Sequence, residues 1–259
     1  MVQKAQSSID KIGDMLNVDF HSTNNDIWLQ NANTLSRLIG ILGILLPLLL
    51  WGFLFLINRH LRVLPTISHY YFTRSNVIFI IVVSLIAIFL LIYKSSKTGF
   101  IWSTLAAIGA LFLLLFPTNA LVTGCCDVCN SVSIAHIEDN GFRNTFHYIS
   151  AAVFLCSLAI MSLFIFPKEN QRRVENDSLI QVAALKTCNP SKVKTQNRVY
   201  VCCGIIMILA LLVIVAGSAI KSFSAFYTAN NLTFWMETLA VEAFGFSWLV
   251  RGETIFKSK

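Results

Sequence analysis

Leu38-Ile-Gly-Ile-Leu-Gly-Ile-Leu-Leu-Pro-Leu-Leu-Leu50 decides the fold class. No charged side chain interrupts it, and apolar sequence continues to Ile57. Residues 38–57 therefore have the length, about 20 residues, that a helix needs to cross a hydrocarbon core. Five further blocks of the same character lie at 76–93, 100–116, 146–166, 199–220 and 232–250. None alternates with period two, as a lipid-facing β-barrel strand would. Helices satisfy their own backbone groups in lipid. The expected fold is thus all-α, a polytopic six-transmembrane-helix bundle spanning 37–252, with a polar lead-in over 1–36 and a tail over 253–259. Composition agrees: 56% of the chain is hydrophobic and only 13% charged, unlike a soluble domain of this length.

Net charge is +7, and its distribution points to topology rather than to nucleic acid. With six crossings, fifteen of the 20 Lys and Arg fall on one side, in residues 1–37, 94–99, 167–198 and 251–259. The other side holds the remaining five, in 58–75, 117–145 and 221–231. This asymmetry sets both termini and the basic loop 167–198 in the cytoplasm. Lys168, Arg172, Arg173, Lys186, Lys192, Lys194 and Arg198 make that loop a contact for anionic lipid headgroups. The polar first 35 residues hold no secretory apolar region, so insertion is expected to use the first apolar block itself. Ile9, Ile12 and Leu16 recur at helical spacing there, which fits a surface-lying amphipathic helix or a disordered tail.

The cation-poor side is rich in ligating and titratable groups. It holds His60, Ser68, His69, Cys125, Cys126, Asp127, Cys129, His136, Glu138, Asp139, His147 and Glu237. His147, Ser150, Phe154 and Ser157 form one stripe at helical spacing. It reads either as a polar face toward the bundle interior, headed by a base or ligand, or as an interfacial His with serines bonding back to their own helix. His69, beside Ser68 and an aromatic run that suits the headgroup level, has the same two readings. Glu237 lies near the outer interface. Glu242 lies near the bilayer centre, where an ionisable group is a functional hypothesis by default. Five residues apart on one helix, the two acids point about 140° from each other. Cys126 and Cys129 fit a loop disulfide; one Cys-x-x-Cys is only half of a usual four-ligand zinc site, which would need His136. Cys156, Cys202 and Cys203 fall within apolar blocks as small fillers. Asn231-Leu-Thr233 is a glycosylation sequon close to the last helix.

His147 followed by Ala151 and Phe154, together with the closing stretch Phe234-Trp-Met-Glu237 through Trp248-Leu-Val-Arg251, resembles a group of six-helix membrane proteins. That group comprises the damage-regulated autophagy modulators, a Golgi factor for GPI-anchor lipid remodelling and related bacterial families. The resemblance, over about 37–252, implies a six-helix bundle that handles lipid, with no established catalytic mechanism. A more distant likeness is to the ceramidase and adiponectin-receptor superfamily of seven-helix zinc hydrolases. Ser68, Asp127, His69, His136 and His147 supply residue types for such a site, but the superfamily's paired histidines on its last helices are absent here.

The expected function is that of a lipid-interacting or regulatory integral membrane protein. The alternative is a membrane-embedded metal-dependent lipid hydrolase. Zinc on His69, His136, His147 and Asp127 would then activate water, with His147, Glu237 and Ser68 as catalytic groups. A small transporter built on Glu242 is the second alternative. Zinc is implied only by the hydrolase; no other cofactor is suggested. Membrane lipids are the expected partners, and nucleic acid is not.

Overall fold

The computed structural model describes residues 32–59, 62–119, 133–135, 137–180 and 190–255. All its named elements are helical. α1 spans Ala32–Asn58, a 3₁₀ turn Ile67–Phe72, α2 Asn76–Ile92, α3 Lys97–Leu115 and α4 Gly141–Ile160. A π segment, Met161–Ile165, joins α4 directly to α5, Phe166–Ile180. α6 is Pro190–Ala219, α7 Lys221–Ala229 and α8 Leu232–Arg251. α1, α3, the α4–α5 rod and α6 are long and apolar enough to cross a membrane.

The helices outrun the apolar blocks. Residues 32–36, expected in the polar lead-in, are already helical, and His147 lies well inside α4 rather than at its start. The basic segment 167–198, expected as a loop, is helical at both described ends: α5 runs to Ile180 and α6 begins at Pro190. Residues 221–229, also expected as loop, form α7. The cause is that hydropathy stops where lipid stops, whereas Lys, Glu, Gln and Arg continue a helix readily. Pro190 suits a first helical turn, where its missing N–H is no loss. The π segment has a local cause as well. Pro167 has no N–H to return to the Leu163 carbonyl, and such a lost bond commonly loosens the turn before it.

Caps set other boundaries. The Ser96 hydroxyl accepts from Gly99 N–H at 3.0 Å to start α3, and the Asn140 side chain accepts from Arg143 N–H at 3.0 Å to start α4. Each satisfies a first-turn donor that the helix cannot.

Packing depends on small residues. A Cβ on Gly245 would lie 2.8 Å from the Gly40 carbonyl oxygen and the Ile44 nitrogen, so α1 and α8 cross backbone to backbone. A Cβ on Gly109 would lie 2.9 Å from Phe154 N, the equivalent approach of α3 to α4. This is how helices associate where no hydrophobic effect drives them together. An aromatic core joins α8 to α5, α6 and the end of α2. Trp248 meets Tyr93 at 4.8 Å and Phe166 at 5.3 Å between ring centroids, and Phe166 meets Tyr200 at 5.3 Å. Outward faces are apolar too: Leu48, Leu56, Ile101, Leu115, Phe164, Leu209 and Val215 are exposed. A helix apolar all round belongs in a core or in lipid.

Candidate functional site

Two polar clusters sit at opposite ends of the helices. The first is built on the 3₁₀ turn. Thr66 caps it, its hydroxyl accepting from His69 N–H at 3.2 Å. The turn is tied to α8 by Ile67 N–H, which donates to Glu237 Oε2 at 2.6 Å, and by Phe234 N–H, which donates to the Pro65 carbonyl at 3.0 Å. Held this way, Ser68 reaches α4, and its Oγ lies 3.0 Å from His147 Nε2. The other ring nitrogen, Nδ1, lies 2.9 Å from the Phe116 carbonyl oxygen. Phe116 closes α3, and a carbonyl at a helix end has no partner further along its own helix.

These contacts fix the protons. A carbonyl can only accept, so Nδ1 carries the hydrogen; in the neutral imidazole Nε2 is then an acceptor, and the Ser68 hydroxyl donates to it. His147 is only 3% exposed and Ser68 9%, yet Ser68 is not sealed in. With Glu237 it lines a pocket of about 60 Å³ whose remaining wall is apolar, formed by Leu46, Phe79, Val83, Leu113, Ala151 and Phe154 among others. A water needs about 10–15 Å³ of such space, so the pocket has room for several waters or part of an apolar chain.

The other expected residues fall as follows. Ser150, Phe154 and Ser157 are buried with His147, so the stripe does face inward, although the Ser150 hydroxyl bonds back to the Phe146 carbonyl at 2.8 Å. His69 bonds through Nδ1 to Thr66 Oγ1 at 2.6 Å. Burial, with the nearby His147 as a smaller cause, holds its pKa down at about 4. Glu242 is half-buried and makes no hydrogen bond or ion pair among the described residues. Cys203 is buried, as a filler should be, whereas Cys202 is exposed. His60, Cys125, Cys126, Asp127, Cys129 and His136 lie outside the described residues, as does the lead-in before residue 32. Among the described residues no three His, Cys, Asp or Glu side chains converge as metal ligands.

The second cluster was not singled out from the sequence. Arg251, at the end of α8, pairs with Glu169 of α5; they are 3% and 8% exposed. Arg251 Nε donates to Tyr93 Oη at 3.1 Å, and its guanidinium lies 5.3 Å over the Phe166 ring. Glu169 Oε1 accepts from Ser95 and Ser96 hydroxyls at 2.8 and 2.5 Å. Asn170 continues the network to Gln196 of α6 at 3.0 Å. A signal was present: an acid in the first turn of α5 and a base in the last turn of α8, each where its helix leaves an apolar block.

Comparison with protein-family models, with curated proteins and with solved structures gave no match to this chain.

Proposed function

We propose that this is an integral membrane protein crossing the bilayer six times, with both termini cytoplasmic, and that it binds a membrane lipid in the pocket beneath Ser68. The observation that carries the reading is the pocket itself: an apolar wall contributed by α1, α2, α3, α4 and α8, headed at one end by a hydroxyl and a carboxylate. A lipid has that same division between chain and polar head. Sites of this kind are mostly apolar with few placed polar groups.

Four helices have the span by themselves. α2 is apolar over 17 residues, about 25 Å at 1.5 Å per residue, close to the ~30 Å core. α8 carries Glu237, Glu242 and Arg251. Arg251 is enclosed and paired and Glu237 faces the pocket, the positions in which membrane-embedded charges are tolerated. Exposed Lys168, Arg172, Lys192, Lys194 and Arg198 gather near the Arg251 end, which supports a cytoplasmic assignment for that end and headgroup contact there.

The test is lipid extraction and mass spectrometry of the detergent-purified protein, wild type beside Ala151→Phe, which fills the pocket. One lipid species retained by the wild type through extensive detergent washing, and lost in Ala151→Phe at unchanged melting temperature, is the expected result. No retained lipid in either protein refutes the reading.

A further inference from the structure

We infer that Ser68 is a covalent nucleophile and His147 its general base, so that the pocket transfers the acyl group of a carboxylic-ester lipid. The inference deepens the lipid-binding reading and rests on it.

The parts of an activated nucleophile are a hydroxyl, a base within hydrogen-bond reach, and a third group that orients the base. All three are here, and each comes from a different element. Ser68 comes from the 3₁₀ turn, His147 from α4 and the orienting carbonyl from the end of α3. The orienter is a main-chain oxygen rather than a carboxylate. It still selects the tautomer that leaves Nε2 free to take the Ser68 proton. Ser68 lines the pocket, and the imidazole approaches it from α4. A serine that merely satisfied a buried histidine would not also need to line an apolar pocket of about 60 Å³.

The chemistry balances without a further reactant except the acceptor. Ser68 Oγ bonds to the ester carbonyl carbon, and its proton passes to His147 Nε2. The bond from that carbon to the leaving alkoxy oxygen breaks, and the departing oxygen takes the proton from His147. Water or a second lipid hydroxyl then gives a proton to His147 and attacks the acyl carbon. The bond to Ser68 breaks, and Ser68 Oγ recovers the proton. Water yields a fatty acid; a lipid hydroxyl yields a new ester.

The experiment treats the full chain in detergent with a long-chain alkyl fluorophosphonate and maps the adduct by peptide mass spectrometry. The expected result is one adduct per chain on the Ser68 peptide, none in Ser68→Ala, and labelling slowed about 100-fold or more in His147→Gln, the low end of what a general base contributes. Hydrolysis of 4-nitrophenyl palmitate should fall in parallel. Wild-type protein that retains its pocket lipid but carries no adduct on Ser68 overturns the inference while leaving the lipid site intact. Labelling at the wild-type rate in folded His147→Gln also overturns it. Labelling of Ser68 in a preparation without pocket lipid upholds the nucleophile and overturns the lipid occupant. Because the adduct is mapped on wild-type protein, the outcome does not depend on whether Ser68→Ala folds.

Discussion

Glu169→Gln is the perturbation that most directly tests the packing at the Arg251 end. The amide keeps the volume of the acid and can still accept from Ser95 and Ser96. What it removes is the negative charge beside a guanidinium that is 3% exposed. Arg251 then retains one hydrogen bond to Tyr93 at 3.1 Å, a long contact of 3.5 Å to Asn170, and the face of Phe166. Breaking a buried pair from one side costs about 3–5 kcal/mol, because the surviving charge stays desolvated. At about 2–4 °C per kcal/mol for a chain of this size, the melting temperature in detergent should fall by about 6–20 °C. Arg251→Met should fall less far, since the stranded carboxylate keeps two hydroxyl donors. The double variant should be milder than the sum of the singles, because two charges removed together leave neither exposed to the penalty. A fall under about 2 °C for Glu169→Gln, or strict additivity in the double variant, would refute the claim that this pair joins α5 to α8.

Two other perturbations read different parts of the structure. His69 is held at about 4, below its ordinary 6.5, so between those values the unfolded chain binds a proton that the folded one does not. Stability is therefore complete above about pH 6.5 and falls as the pH drops toward 4. Relative to His69→Gln, the wild-type protein should lose the equivalent of about 1–2 kcal/mol between pH 7 and pH 5; identical melting-temperature slopes in the two proteins would remove His69 as a source. At Gly245, a Cβ would press on backbone atoms of Gly40 and Ile44, whereas at Gly52 it would meet nothing within 4 Å. Gly245→Ala should thus destabilise by about 1–3 kcal/mol, against the usual gain of a helical Gly→Ala. Gly52→Ala should be neutral or stabilising by up to about 1 kcal/mol; equal melting temperatures for the two would contradict the close crossing of α1 and α8.

How far the sequence carries depends on which physics is being read. Lipid demands contiguous apolar residues, so the positions of the long helices were legible from blocks such as Leu38–Leu50. Their ends were not, because α5 and the first turns of α6 are polar helix that hydropathy treats as loop. The 3₁₀ turn was half legible, since Pro65 suits the opening of a helical segment there. Six residues around two tyrosines and a phenylalanine read as an interface belt, and their conformation comes from the Thr66 cap, the Thr73 bonds to the Tyr70 carbonyl and the ties to α8 through Glu237 and Phe234. Ser68, His147 and Glu237 were singled out by residue type and by side, but no spacing rule relates residues 79 apart. Their meeting depends on where α3 ends and on how α8 grips the turn. Glu169 was overlooked because its neighbours are basic and the segment was read for its net charge.

The two polar clusters differ in what their groups leave over. At the Arg251 end each buried charge has found an opposite charge, a hydroxyl or a ring, and the bonds run among helices α5, α6 and α8, the tyrosine after α2 and the serines before α3. A network satisfied to that degree fixes the relative positions of helices and has little capacity left for a ligand. At the His147 end both imidazole nitrogens are engaged, but the serine that engages one of them has its other side on an apolar pocket. Stability alone does not require a serine–histidine pair there: apolar residues replacing both could fill the space, whereas losing Ser68 alone would strand the buried His147 Nε2. A chain that keeps the hydroxyl, the void and a well-oriented histidine together has accepted a packing cost at one end. That contrast is the reason for placing the proposed site at this end rather than at the charged one.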